Sequence, residues 1–200
     1  MNPSKIVITG TIASGKSTLS NLLKEYGFDL ISADEINKKL LEKGEKNYLA
    51  IQNSGCFEKA FEGEILDKKK LAEIIFSDPN KNSLLNELTH KNILEEINRE
   101  ISQISKKVVF IEIPLYFQMK EKFVADEVWL VTANEQVQLQ RLAKRDGIDL
   151  TFAKSKLESQ KTTENMIDKS QVVFDNSSSV DELNKKLKEI LEKKDLLWKF

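Results

Sequence analysis

Residues 5–18 read KIVITGTIASGKST, and this stretch decides the fold. Ile6, Val7, Ile8 and Thr9 form a β-branched run that ends at Gly10, and four residues later come Gly15, Lys16 and Ser17. The pattern G-x-x-x-x-G-K-[ST] is a phosphate-binding loop, and its mechanics are physical. Gly10 turns the chain off the strand, while Gly15 admits backbone close to a phosphate where a Cβ would intrude. The backbone of Ile12, Ala13, Ser14, Gly15, Lys16, Ser17 and Thr18 then lines one concavity at the positive end of a helix. Lys16 can reach the β- and γ-phosphates of a nucleoside triphosphate, and the Ser17 hydroxyl can ligate Mg²⁺. Leu19, Leu22, Leu23 and Tyr26 follow at helical spacing, so the motif sits between a strand and an amphipathic helix, as its function requires.

Outward from the loop, hydrophobic periodicity marks the remaining elements. Phe28 to Ser32 reads as a second strand, and Ser32-Ala33-Asp34-Glu35 as a capping box opening a helix to Lys43. Residues 45–107 are lysine- and glutamate-rich, with apolar positions at Leu84, Leu85, Leu88, Ile93, Ile97, Ile101 and Ile104; they read as a helical insertion punctuated by Gly63 and Asp78-Pro79. Strands follow at residues 107–114, 127–132 and 171–175, with helices from Asn134 to Arg145, over residues 151–162, and after the Ser179–Glu182 capping box. On that last helix Val180, Leu183, Leu187, Ile190 and Leu191 are expected on one side. Alternating strands and helices imply a parallel sheet covered on both faces. The expected fold is an α/β three-layer sandwich of the P-loop class. Its single domain, 1–200, would have a five-stranded parallel sheet, a helical insertion over 45–107 and a lid over 134–162.

Composition narrows the chemistry. Across 200 residues, 31 Lys and Arg face 32 Asp and Glu, so net charge is −1 and no basic field exists to hold nucleic acid. The single cysteine, Cys56, excludes an internal disulfide and reads as a small core residue. The first strand begins within five residues, leaving no room for a signal peptide, and no apolar run approaches the ~18 residues of a membrane span. A cytoplasmic protein, without nucleic-acid or membrane partners, is the expectation.

Several other residues could carry chemistry. Asp34 follows the second strand, and ligands of open α/β sheets bind beyond the carboxyl ends of strands. It could orient and deprotonate an acceptor hydroxyl, or it could serve the helix dipole alone. Arg141 and Arg145 lie one turn apart and share a face with Gln138, while Leu139, Leu142 and Ala143 can pack inward. The arginines could close over a transferring phosphoryl group or remain a solvated pair. Glu112 suits either the surroundings of Mg²⁺ or a buried salt bridge. His90 falls on its helix's apolar stripe, Lys68-Lys69-Lys70 reads as a solvated face, and Trp129 as core.

Together these residues make the chain resemble the dephospho-coenzyme A kinase family along nearly its whole length. The family's Asp-Ala-Asp corresponds to Ser32-Ala33-Asp34, its Phe-x-x-Pro to Phe76–Pro79, and its His-Pro to His90-Lys91. Its Pro-Leu-Leu-Phe-Glu corresponds to Pro114–Gln118, and Gln-x-x-Arg-x-x-x-Arg-Asp to Gln138 through Arg145-Asp146. Gln160 and Asp175-Asn176-Ser177 complete the set. Departures are Thr11 and Ala13 where the loop usually carries glycine, Ser32 for the first Asp, Lys91 for proline, and Lys38 for an arginine. Lysine keeps the charge at 38 without the bidentate fork, so these changes bear on affinity and rate more than on reaction type.

The resemblance implies transfer of the ATP γ-phosphoryl group to the 3′-hydroxyl of dephospho-coenzyme A, with Mg²⁺, in a monomer or small homo-oligomer. It implies phosphate binding by the loop and Lys16, proton acceptance by Asp34, charge stabilisation by Arg141 and Arg145, and adenine near Asn176. The helical insertion and His90 would shape the acceptor pocket, making it an acceptor-binding insertion, with Asp34 and Lys38 also on the substrate. Another small-molecule or nucleotide kinase of this architecture, or an ATP-sensing module without an acceptor, remain the alternatives.

Overall fold

The computed structural model describes residues 3–114, 116–119, 121, 123–158 and 164–197. Gln160 and the end of the expected helix at 151–162 lie outside the described residues. The chain forms two compact units, one made of Met1–Ile31 with Ile104–Phe200 and one of Ser32–Gln103.

The first unit holds the strands β1 (Ser4–Gly10), β2 (Asp29–Ser32, whose last residue opens the other unit), β5 (Val108–Glu112), β6 (Glu127–Thr132) and β7 (Val172–Asp175). Its helices are α1 (Lys16–Glu25), α6 (Glu135–Asp146), α7 (Leu150–Glu158), α8 (Glu164–Asp168) and α9 (Val180–Lys193). The second unit holds α2 (Ala33–Leu40), α3 (Lys46–Asn53), the short strands β3 (Phe61–Glu62) and β4 (Ile65–Leu66), α4 (Lys68–Ser77) and α5 (Pro79–Ser102).

The sheet order is β2-β5-β1-β6-β7, which puts the loop-bearing β1 at the centre. β1 runs parallel to both neighbours, with Ile8 opposite Glu112 on one side and Trp129 on the other, and β6 runs parallel to β7. Central strands of such a sheet are buried on both faces, which explains the continuous apolar runs: Val7, Ile8, Val109, Phe110, Ile111, Leu130 and Val131 are all fully buried. One face packs Ile6, Ile8, Phe110, Trp129 and Phe174 against Leu19 and Leu23 of α1 and Leu183, Leu187 and Leu191 of α9. Trp129 sits at the middle of this layer, its ring 5.0 Å from Phe110 and 5.5 Å from Phe174. The P-loop α/β sandwich is therefore the fold. Val180 departs from expectation. As the first residue of α9 it points past the packed stripe and is 53% exposed.

The second unit has its own core of Tyr48, Ile51, Phe57, Ala60, Leu66 and Leu71, closed by Leu84, Leu85 and Leu88 of α5. Asp67 caps α4 by accepting from the Lys69 and Lys70 amides, and Asp78 caps α5 with Pro79 as its first residue. Three readings of this region are corrected. The insertion is not wholly helical: Gly63, at φ 61°, turns an antiparallel hairpin between Phe61–Glu62 and Ile65–Leu66. The helix after Ser32 ends at Leu40, short of Lys43. Cys56 is exposed in the turn before Phe57, because the adjacent phenylalanine takes the core position.

Candidate active site

The loop between β1 and α1 is built by three converging segments. Gly10 adopts φ 156°, and a Cβ there would stand 2.3 Å from the Val131 carbonyl oxygen of β6. Gly15 adopts φ 96°, and a Cβ there would stand 1.8 Å from the Asn176 amide nitrogen. Both glycines are thus demanded by neighbouring strands and loops as well as by any bound phosphate. Ala13 occupies the left-handed region at φ 56° without glycine's freedom, a conformation held by the surrounding loop.

Asn176 follows β7 and is buried. Its backbone N–H donates to the Thr132 carbonyl at 2.8 Å, and its side-chain amide to the Ser14 carbonyl at 2.9 Å. Ser177 accepts from the Asn134 amide at 2.8 Å, and Asn134 in turn caps α6 through the Val137 amide. The carboxyl ends of β1, β6 and β7 are therefore knitted together around the loop. Gly15 is the N-cap of α1 and offers no side chain to its first turn, which contains no acidic residue. Within that turn the Thr18 N–H donates to the Gly15 carbonyl at 3.0 Å, and the turn stands at the positive end of the helix, the end suited to an anion.

Lys16 donates from Nζ to the Gly10 and Thr11 carbonyls at 2.8 and 3.1 Å, so its ammonium spans the mouth of the loop. Ser17, Thr18 and Ser20 lie on the opening turns of α1, with Ser17 exposed and Ser20 donating to Glu112 at 2.9 Å. Glu112 thus joins the end of β5 to α1 through a hydroxyl. Among the described residues no group of three or more His, Cys, Asp and Glu side chains could hold a metal. A lone hydroxyl suits Mg²⁺, which keeps several waters and takes its remaining ligands from substrate phosphates.

Arg141 and Arg145 prove to be in different surroundings. Arg141 reaches the loop, with Nη1 3.6 Å from the position a Gly15 Cβ would take. That nitrogen is buried and, like the Ser14 hydroxyl, makes no hydrogen bond among the described residues. Arg145 faces outward and pairs with the neighbouring Asp146 at 2.8 Å, its side chain 59% exposed. The Arg145 hydrogen bond holds the Asp146 carboxyl below its ordinary range, and Lys156 adds to the effect. Gln138, one turn before Arg141, is also turned onto the loop. The sequence placed it on the arginines' face but carried no sign that its amide would meet the loop backbone.

Asp34, Lys38 and His90 belong to the other unit. Asp34 is exposed in the first turn of α2, whose N-cap Ser32 accepts from the Glu35 amide at 3.3 Å. Lys38 is exposed one turn further on, and His90 is half-buried on α5. The same unit holds an arrangement with no sequence signature. Asn47 of α3, wholly buried, donates to Asn37 of α2 and accepts from Asn92 of α5, each at 2.9 Å.

Comparison with known proteins gives the family. The family model described as dephospho-CoA kinase covers residues 5–182. The chain belongs to the dephospho-CoA kinase family. A family relative from Carboxydothermus hydrogenoformans is 34% identical over 198 residues, covering 98% of this chain and 94% of its own. Another, from Oryza sativa subsp. japonica, is 34% identical and covers 96% and 86%. The solved dephospho-CoA kinase of Campylobacter jejuni aligns with a TM-score of 0.61 at 25% identity, over 96% of this chain and 98% of that one. A Thermus thermophilus crystal structure aligns more closely, with a TM-score of 0.82 at 27% identity over the same shares.

Proposed function

We propose that this member of the family is an ATP-dependent kinase that phosphorylates the ribose 3′-hydroxyl of dephospho-coenzyme A, giving coenzyme A and ADP. The observation that carries the reading is Arg141 Nη1, buried near the position a Gly15 Cβ would take and without a hydrogen-bond partner among the described residues. Burying a cationic donor without an acceptor is costly, and an anionic ligand in the loop removes that cost. Phosphate oxygens of ATP are such acceptors.

In this role the first-turn amides of α1 and the Lys16 ammonium bind the β- and γ-phosphates, and Asn176 lines the nucleotide side of the loop. Ser17 would hold Mg²⁺, which when bound supplies charge neutralisation across the β- and γ-phosphates. Asp34 orients the acceptor hydroxyl and takes its proton as that oxygen bonds to the γ-phosphorus. The bond to the β–γ bridging oxygen breaks, and ADP leaves with its electron pair. Arg141 stabilises the charge spread over the equatorial oxygens in the loose transition state. Arg145 joins it only by leaving Asp146. Lys38 and His90 line the acceptor side, and the α6–α7 region acts as the lid that excludes water. The reading carries with it a cytoplasmic enzyme, a monomer or small homo-oligomer, working without nucleic acid or membrane.

A coupled ADP-release assay with and without dephospho-coenzyme A tests this. ADP release should depend on the acceptor. Faster turnover with a nucleotide or another small alcohol would reassign the substrate, and ATP binding without any acceptor-dependent release would reduce the protein to an ATP-binding module.

A further inference from the structure

Gln138 makes contacts that the phosphoryl-transfer chemistry itself does not require. It is buried, at 6% exposure, although it belongs to a helix whose other polar residues largely face water. Both hydrogens of its side-chain amide are used: Nε2 donates to the Thr11 hydroxyl and to the Ile12 carbonyl, each at 2.8 Å. Thr11 is 2% exposed, and its carbonyl accepts from the Ser14 amide at 3.3 Å, so Gln138 grips the first two residues of the turn. The next residue, Ala13, is the one in the left-handed region. The hydroxyl that Gln138 meets is supplied by the Thr11 side chain, so the contact depends on the residue at this position. One turn along α6 is Arg141, whose Nη1 is buried against the same loop.

We propose that Gln138 is a positioning residue that registers α6 on the nucleotide loop through Thr11 and Ile12, setting where the Arg141 guanidinium meets the phosphates. The argument rests on the phosphate-binding role of Arg141 proposed above. Residues three apart on a helix share a face, so fixing Gln138 on the loop backbone fixes the approach of Arg141 to within a fraction of a turn. Catalytic charges are sensitive to such placement, because an ångström of misplacement costs on the order of 10²-fold in rate. Gln138 touches neither substrate nor reacting atoms and acts through Arg141.

The test is a pair of double-mutant cycles read on ATP affinity by calorimetry and on kcat, with thermal midpoints recorded for each variant. Gln138→Ala should lower kcat by roughly tenfold or more, and in an Arg141→Ala background the same change should cost under about threefold, since coupled residues are not additive. Thr11→Val should give a smaller loss, and Gln138→Ala with Thr11→Val should be no worse than Gln138→Ala alone within about twofold. Equal losses in both backgrounds, or losses that track thermal midpoint alone, would overturn the proposal. Should Gln138→Ala fail to fold, Thr11→Val in the wild-type and Arg141→Ala backgrounds decides the same question. The affinity cycle uses ATP only, so it tests the clamp even if dephospho-coenzyme A proves not to be the acceptor.

Discussion

Lys16 and Asp34 differ in what removing them should reveal. Lys16 is half-buried over the mouth of the loop and touches backbone carbonyls rather than the apolar core, so Lys16→Ala should fold normally. Activity should fall by roughly 10²–10³-fold, the scale for deleting one group that stabilises transition-state charge. Near wild-type turnover in the purified variant would remove Lys16 from the mechanism. Asp34 is harder, because a carboxylate in the first turn of α2 also stabilises the helix dipole, by about 0.3–1 kcal/mol. Asp34→Asn keeps the shape and removes the charge and basicity. If the dipole is its only role, kcat at saturating substrates should hardly change; if it takes the acceptor proton, kcat should drop by about 10²–10⁴-fold with ATP binding retained. We expect the second outcome, and a ratio within about threefold would refute it.

The insertion's helices are held by an unusual device. α2, α3 and α5 meet through Asn37, Asn47 and Asn92, a chain of amides in which the central residue has no exposure to water. Low dielectric strengthens such hydrogen bonds and makes an unpaired member expensive. Asn47→Ala deletes a donor and an acceptor at once, taking the donor from Asn37 and leaving Asn92 its longer bond to the Leu88 carbonyl, so it should destabilise the protein by about 1–3 kcal/mol in urea unfolding. Asn47→Leu, which fills the space without pairing, should not restore that loss. A variant as stable as wild type would mean that water replaces the lost partners. By contrast α9 depends on its apolar stripe: Leu183, Leu187 and Leu191 are wholly or nearly wholly buried against the sheet, and the capping bond of Ser179 adds to rather than replaces that packing.

Across the molecule as a whole, ion pairs contribute breadth more than strength. Lys43–Glu64, Lys46–Glu95 and Lys70–Glu62 have both partners well exposed, and such pairs are screened by salt. The carboxyls of Glu64, Glu96, Asp67 and Asp146 are all held below their ordinary range. Hydrogen bonds from Lys43, Arg99 and Arg145 lead for Glu64, Glu96 and Asp146, and the Lys70 backbone amide leads for Asp67. A carboxylate whose folded pKa is depressed adds stability above its unfolded pKa and loses it as pH falls through the folded value. The thermal midpoint should therefore be flat from neutral pH down to about 5 and then decline below about pH 4, where these groups take up protons. A midpoint already falling between pH 7 and 6 would point to a group outside this set.

What the sequence by itself determined follows from local rules. The phosphate loop, the β-branched strands, the Ser32 and Ser179 caps and Trp129 in the core each depend on neighbours within a few residues, so spacing alone exposed them. The hairpin at Gly63 escaped because two-residue strands are too short to show a period. Cys56 escaped because a core position and a turn position differ by one residue. The tertiary structure decided the matters that turn on long-range packing. Arg141 and Arg145 are equivalent by spacing, yet one is buried against Gly15 and the other pairs with Asp146 in solvent. Gln138 meets a loop 126 residues away in sequence, and Asn176 meets Ser14 across 162. Periodicity reports which side of a helix is apolar, but not which polar side chain on its border finds a backbone partner. That depends on which strand ends the parallel sheet brings side by side.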